Sequence, residues 1–116
     1  MKSRKEAIDH CLTYPGAYED YPFSDTNWTV MRHKANNKVF AWIFEKDGHI
    51  WINVKGKPEM CDFWRNMFDA VVPAYHLNKM HWNSIILDGT VPEKSIEDMI
   101  FDSYKLTGPK IRNNKK

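Results

Sequence analysis

VFAWIFEKDGHIWINV, residues Val39 to Val54, is the stretch on which the fold turns. VFAWIFE, Val39 to Glu45, is rich in aromatic and β-branched residues and reads as a strand that is apolar on both sides. Asp47-Gly48 tolerates the positive φ angles of a two-residue hairpin turn. HIWINV, His49 to Val54, then alternates. Ile50, Ile52 and Val54 share one side, and His49, Trp51 and Asn53 share the other. A turn this short leaves no room for a crossover, so the two strands pair antiparallel.

The pattern extends outward in both directions. Upstream, Trp28 to His33 is a further strand, joined by a tight turn at Asn36-Asn37. Before it, Tyr14 to Asn27 holds two Pro, one Gly and no periodicity. That segment reads as a loop whose aromatics, Tyr14, Tyr18, Tyr21 and Phe23, pack on something. The chain opens with a capping box, Ser3 with Glu6, ahead of a helical stripe of Ala7, Ile8, Cys11 and Leu12. Downstream, Pro58 suits a helix first turn. Met60, Phe63, Trp64, Met67, Phe68 and Val71 then recur at helical spacing, placing that helix on a core. A short strand is expected over Ala74 to Leu77, and another over Trp82 to Leu87, closed by Asp88-Gly89. Thr90 and Glu93 read as a second capping box around Pro92. Ile96, Met99, Ile100, Ser103 and Tyr104 line a last helix, which Gly108-Pro109 stops. The fold class is therefore α+β, a two-layer α/β sandwich of order α-β(3)-α-β(2)-α. It has one antiparallel sheet of about five strands with helices on one face. A single domain is expected over residues 1–108, followed by a basic, disordered tail over 109–116.

A chain of 116 residues is near the usual size of one domain. No run approaches the ~18 apolar residues of a membrane span, and MKSRKEAIDH has no apolar core of a secretory signal. Cys11 and Cys61 fall in predicted helices beside apolar neighbours, as buried reduced thiols do. A cytoplasmic location without membrane contact is the expectation. The net charge of +2 conceals an asymmetry: residues 1–25 carry −2, 26–87 carry +3, 88–108 carry −3 and 109–116 carry +4. The first and last helices are acidic, while the middle and the tail are basic.

Enzyme chemistry finds no foothold. Gly56 stands alone between two lysines rather than in a phosphate loop, and no Ser sits in a nucleophile elbow. Neither Cys has the polar surroundings of an activated thiolate. Glu97, Asp98 and Asp102 lie opposite the apolar stripe of the last helix as a solvated face. His76 and His81 are the nearest thing to a metal pair, and no third ligand is spaced to complete a site. No catalytic residue, metal or cofactor is expected. Binding candidates are better placed. Tyr75 to Asn83, YHLNKMHWN, joins two strands and is dense in hydrogen-bonding groups, which serve either recognition or the fixing of an unusual turn. Lys55-Gly56-Lys57-Pro58 leads a strand into a helix N-terminus, where anions are attracted, although lysines beside a turn are also ordinary surface. Trp51, Trp82 and a row from the middle strand face away from the helices. They form either an open stacking platform for bases or a surface buried by residues 14–27 or a second copy.

YPGAYEDYPF, KVFAWI, INVKGKPE, VPAYHLNKMHWNSIILDG and VPEKSIEDMIFDSYKLT, in this order and spacing, resemble the MmcQ/YjbR family over about residues 3–107. The most specific stretch is Pro73 to Gly89. The resemblance implies a CyaY-like α/β fold and the family's proposed role in DNA binding through a "double wing" arrangement, with no agreed contact residues. With the charge partition, this makes DNA the expected partner. Phosphate contacts are expected from Lys34, Lys38, Lys55, Lys57 and Lys79, with His76, Asn78, His81 and Trp82 supplying polar or aromatic contacts. The alternative is a protein-interaction or homodimerisation module using the aromatic sheet face.

Overall fold

The computed structural model describes residues Met1 to Pro109. The chain runs α1 (Arg4–Leu12), β1 (Ala17–Asp20), β2 (Thr29–His33), β3 (Val39–Lys46), β4 (His49–Lys55), α2 (Pro58–Met67), β5 (Val71–Pro73), β6 (Trp82–Ile86) and α3 (Glu93–Thr107). All six strands join one antiparallel sheet in the order β1-β2-β3-β4-β6-β5. Asp47 and Gly48 take φ of 53° and 79° at the β3–β4 turn, and Asn37 takes 61° between β2 and β3. Both turns therefore form where the sequence places them. The residues of the expected tail from Lys110 onward lie outside the described residues.

Five local expectations give way. The sheet has six strands because Ala17–Asp20 pairs with Val30–His33. This edge strand is short and half exposed, so it carries no apolar alternation. α2 stops at Met67, and Phe68 is already extended (φ −134°, ψ 129°). Val71 thus belongs to β5, and the strand expected over Ala74 to Leu77 is loop instead. Pro73 sits in β5 because an edge strand tolerates a missing N–H. Of α2 only Cys61 is buried, while Phe63 and Met67 are 45% and 53% exposed, since the helix rides on the β5–β6 edge. The Ser3–Glu6 capping box forms in full. The Thr90–Glu93 box does not: Pro92 is the N-cap, and the Thr90 hydroxyl donates to Asp88 Oδ1.

The core lies between the sheet and the pair α1 and α3. Ala7, Cys11, Ile96 and Ile100 meet Ala41, Ile43, Ile52 and Ile85 there. Cys11 and Cys61 are free and buried, and burial pushes the Cys11 thiol up to about 12. No described helix is long and apolar enough to cross a membrane.

One hydroxyl fixes α3 to the sheet. The β2–β3 register slips between Met31 and Arg32, leaving Phe40 as an extra residue that turns fully into the core. Beyond the Ala41–Val54 pair, the buried Ser103 hydroxyl takes over from the ladder. It donates to Phe40 O (2.6 Å) and accepts from Lys55 N (2.8 Å). Ser103→Ala leaves Phe40 O and Lys55 N without their side-chain partner. It is expected to destabilise the fold by about 2 kcal/mol, read as a lower denaturant midpoint at unchanged m-value.

His33 is buried at the end of β2, with Nε2 2.9 Å from Thr107 Oγ1 and its ring against Phe40 and Tyr104. Burial holds its pKa below the usual imidazole value of 6.5, partly offset by a hydrogen bond to the Tyr104 backbone. The unfolded chain therefore binds a proton that the native state refuses. Stability from this residue is present above the unfolded pKa and is lost as pH falls through it. Unfolding free energy should decline between about pH 7 and 5, and His33→Gln should flatten that decline in denaturant titrations.

Candidate nucleic-acid interface

Antiparallel pairing brings distant lysines to one place. β2 ends, β3 begins, β4 ends, β5 ends and β6 begins at the same end of the sheet. Three connections emerge there: residues 34–38, the β4–α2 junction at Gly56 and Lys57, and the loop 74–81. They carry Lys34, Lys38, Lys55, Lys57 and Lys79. Asp25, Asp47 and Asp88 leave from the opposite end, where α3 also begins with Glu93.

Lys55, Lys57, Asn78, His81 and Trp82 line one hollow of about 340 Å³ beside Leu106 of α3. Gly56 N donates to His81 O at 2.8 Å, holding the loop 74–81 to the β4–α2 junction. α2 starts here with Lys57 as N-cap and no side-chain cap; Pro58 has no N–H and the Met60 and Cys61 amides donate to Lys57 O, which leaves the Glu59 amide as the first-turn donor facing solvent. Lys34 and Lys38 stand apart on the β2–β3 tip. That tip is tied to α3 by Asn36 Nδ2, which donates to Thr107 O at 3.0 Å. None of these five lysines pairs with a carboxylate among the described residues. Lys79 Nζ lies 5.2 Å from the Tyr75 ring centroid. By contrast, Lys5, Lys94 and Lys105 are paired with Asp9, Asp98 and Asp102.

The helix-free face of the sheet is neither an open platform nor fully covered. Trp42, Asn53 and Ser84 are neighbours across β3, β4 and β6. The chain between β1 and β2 folds over one side of this row, where Phe23 stacks on Trp42 (6.1 Å, 19°) and Trp28 on Phe44 (4.5 Å, 27°). Tyr75, His76 and Leu77 of the loop 74–81 approach from the other side. Between them lies a cleft of about 560 Å³ floored by Trp42 and Asn53. A smaller extension of about 230 Å³ runs toward Ser84 and Trp51. Trp51 is only 9% exposed, with its indole N–H donating to Lys46 O. A dimer centred on that side chain finds little surface to use. His76 thus borders the aromatic cleft and His81 the basic hollow. No group of three His, Cys, Asp or Glu side chains suited to a metal forms among the described residues.

The family model for YjbR matches residues 12–106. The chain belongs to the YjbR family. It is 36% identical over 118 residues to the uncharacterised protein YyaQ of Bacillus subtilis, covering 92% of this chain and 99% of that one. It is 29% identical over 100 residues to the uncharacterised protein YjbR of Escherichia coli K12, covering 86% and 82%. Two crystal structures share the fold. One, from Pseudomonas syringae, is 29% identical with a TM-score of 0.80 over 91% of this chain and 99% of that one. The other, a Deinococcus radiodurans protein with a DUF419 domain, is 28% identical with a TM-score of 0.81 over 91% and 78%.

In this YjbR-family chain the loop 74–81 is held by an arginine that the sequence does not single out. Arg65 of α2 donates from Nε to Asn83 Oδ1 (2.6 Å), and its terminal nitrogens reach Lys79 O and Trp82 O. Asn83 Nδ2 in turn donates to Cys61 O. Nothing local flags Arg65, because its partners lie 14 to 18 residues further on. Asn78 belongs to the turn: its Oδ1 accepts from Met80 N and its carbonyl from His81 N. Arg65→Met should release the loop, seen as faster amide hydrogen exchange confined to residues 74–82 with the sheet core still protected.

Proposed function

We propose that this YjbR-family protein binds the phosphate backbone of a nucleic acid along the lysine-bearing end of its sheet. The observation that carries the reading is the convergence of Lys34, Lys38, Lys55, Lys57 and Lys79 on one end, unpaired among the described residues. Of the other described lysines, Lys5, Lys94 and Lys105 are matched with carboxylates, and only Lys2 and Lys46 are not. Unpaired lysines exchange counterions with a polyanion at no cost in broken ion pairs. In this reading the β2–β3 tip and the loop 74–81 flank the β4–α2 junction as two wings, and Lys55 and Lys57 meet a phosphate between them. The acidic residues at the far end orient the molecule with its basic end forward. The chemistry is binding rather than catalysis. The thiols are buried and their pKa values raised by desolvation, so neither is a ready nucleophile. Free buried thiols also suit a reducing, cytoplasmic setting.

Fluorescence anisotropy with labelled DNA over a salt series tests this. The double variant Lys55→Glu/Lys57→Glu should weaken binding by at least about tenfold and reduce the slope of log affinity on log salt by about two. Lys5→Glu, at the N-terminal helix, should change neither. Binding that ignores salt, or that falls equally in both variants, would defeat the reading.

A further inference from the structure

The cleft on the helix-free face is aromatic on three sides and polar at its floor. Asn53 is 4% exposed, and one end of its amide is engaged by the Ser84 hydroxyl. The other end has no hydrogen-bond partner among the described residues. Across the strand pair, the buried indole nitrogen of Trp42 likewise has none. Trp42 Nε1 is sealed beneath the surface, but the free Asn53 amide nitrogen is not, and it offers the cleft a donor that a ligand with an acceptor would complete. The walls suit a flat ring. Phe23 on one side is 46% exposed, while Tyr75 and His76 stand on the other. The volume falls within the roughly 300–1,000 Å³ of small-ligand sites.

We propose that this cleft takes an unpaired nucleobase, which makes single-stranded nucleic acid the preferred ligand. The inference rests on the polyanion reading for the placement of the phosphates. One loop serves both sites: His76 and Leu77 border the cleft, while Asn78 and His81 border the lysine hollow. In the ladder, Lys55 and Trp82 pair two residues along from Asn53 and Ser84, about 7 Å toward the basic end. A nucleotide with its phosphate at the lysines therefore reaches the cleft with its base. Asp25 lines the cleft from the far side and Glu45 its extension, so a phosphate is repelled from the rim that a neutral base can approach. A paired base in a duplex presents no free face to Phe23 or His76 and cannot enter. An aromatic side chain of a protein would fill the walls but carries no phosphate for the neighbouring lysines. A base edge offers both donors and acceptors.

Two titrations decide it, with tryptophan fluorescence as readout because Trp28 and Trp42 line the site. The first uses a short thymidine homopolymer against a duplex of mixed sequence. The second uses free, unphosphorylated nucleosides, which cannot use the lysines. Wild-type protein should bind the single strand more tightly than the duplex, and nucleosides should quench its fluorescence. Phe23→Ala and His76→Ala, both at exposed loop positions, should each weaken single-strand binding by about tenfold and leave duplex affinity and thermal midpoint unchanged. If both variants bind the single strand as wild type does, the cleft assignment is wrong and the lysine reading stands. If no DNA binds but nucleosides quench and the variants abolish it, the lysine reading fails and the cleft survives. Absence of quenching by either probe removes the cleft proposal outright.

Discussion

β3 is apolar on both faces and Trp51 of β4 adds to the second, yet the chain has helices for only one of them. That constraint organises the molecule. Ile43, Ile52 and Ile85 are sealed by α1 and α3, while Trp42, Phe44 and Trp51 point the other way and must find cover from loops. The segment after β1 and the loop before β6 supply that cover from opposite ends of the sheet. Loops seal a surface less completely than helices, because their backbone groups need solvent or local partners. The cleft over Trp42 and Asn53 is what their incomplete closure leaves.

The same sheet explains the polarity of charge. Antiparallel order gathers alternate connections at each end, so a sequence with lysines in the 34–38, 55–57 and 74–81 segments becomes a molecule with one basic end. The three connections are also cross-tied rather than free: Gly56 to His81, Asn36 to Thr107, and Arg65 to Lys79 and Trp82. Ser103 sits beneath them and replaces a ladder bond at the point where β3 and β4 separate. Lysines on restrained connections lose less freedom on meeting a ligand than lysines on free loops, which favours binding at a given charge.

Much of this was readable locally. The turns at Asn36-Asn37 and Asp47-Gly48, the Ser3–Glu6 box, the alternation of His49 to Val54 and the stripe of α3 each rest on neighbours within a few residues. Each stands as expected. Apart from the unformed Thr90–Glu93 box, the failures share one cause. β1, the early end of α2 and the strand at Val71–Pro73 are edge elements, whose partners alone make them regular. The lysines and histidines of the candidate interface are legible in the sequence as residues, but their grouping is not. His76 and His81 fall to different hollows, and Asn78 is absorbed by its turn.

By itself, the sequence determined the types of the non-edge elements, the apolar face of the central hairpin, the segments that hold the lysines and the family to which the chain belongs. The first three follow from periodicity, turn chemistry and local spacing, and the family from the resemblance of its motifs. Only the tertiary structure decided that three lysine segments share one end of the sheet, that Arg65 anchors the loop between them, and that Phe23, Trp42 and Asn53 enclose a cleft. Those are contacts between residues far apart in the chain, set by strand order and register, and no local pattern encodes which distant residue will stand opposite another.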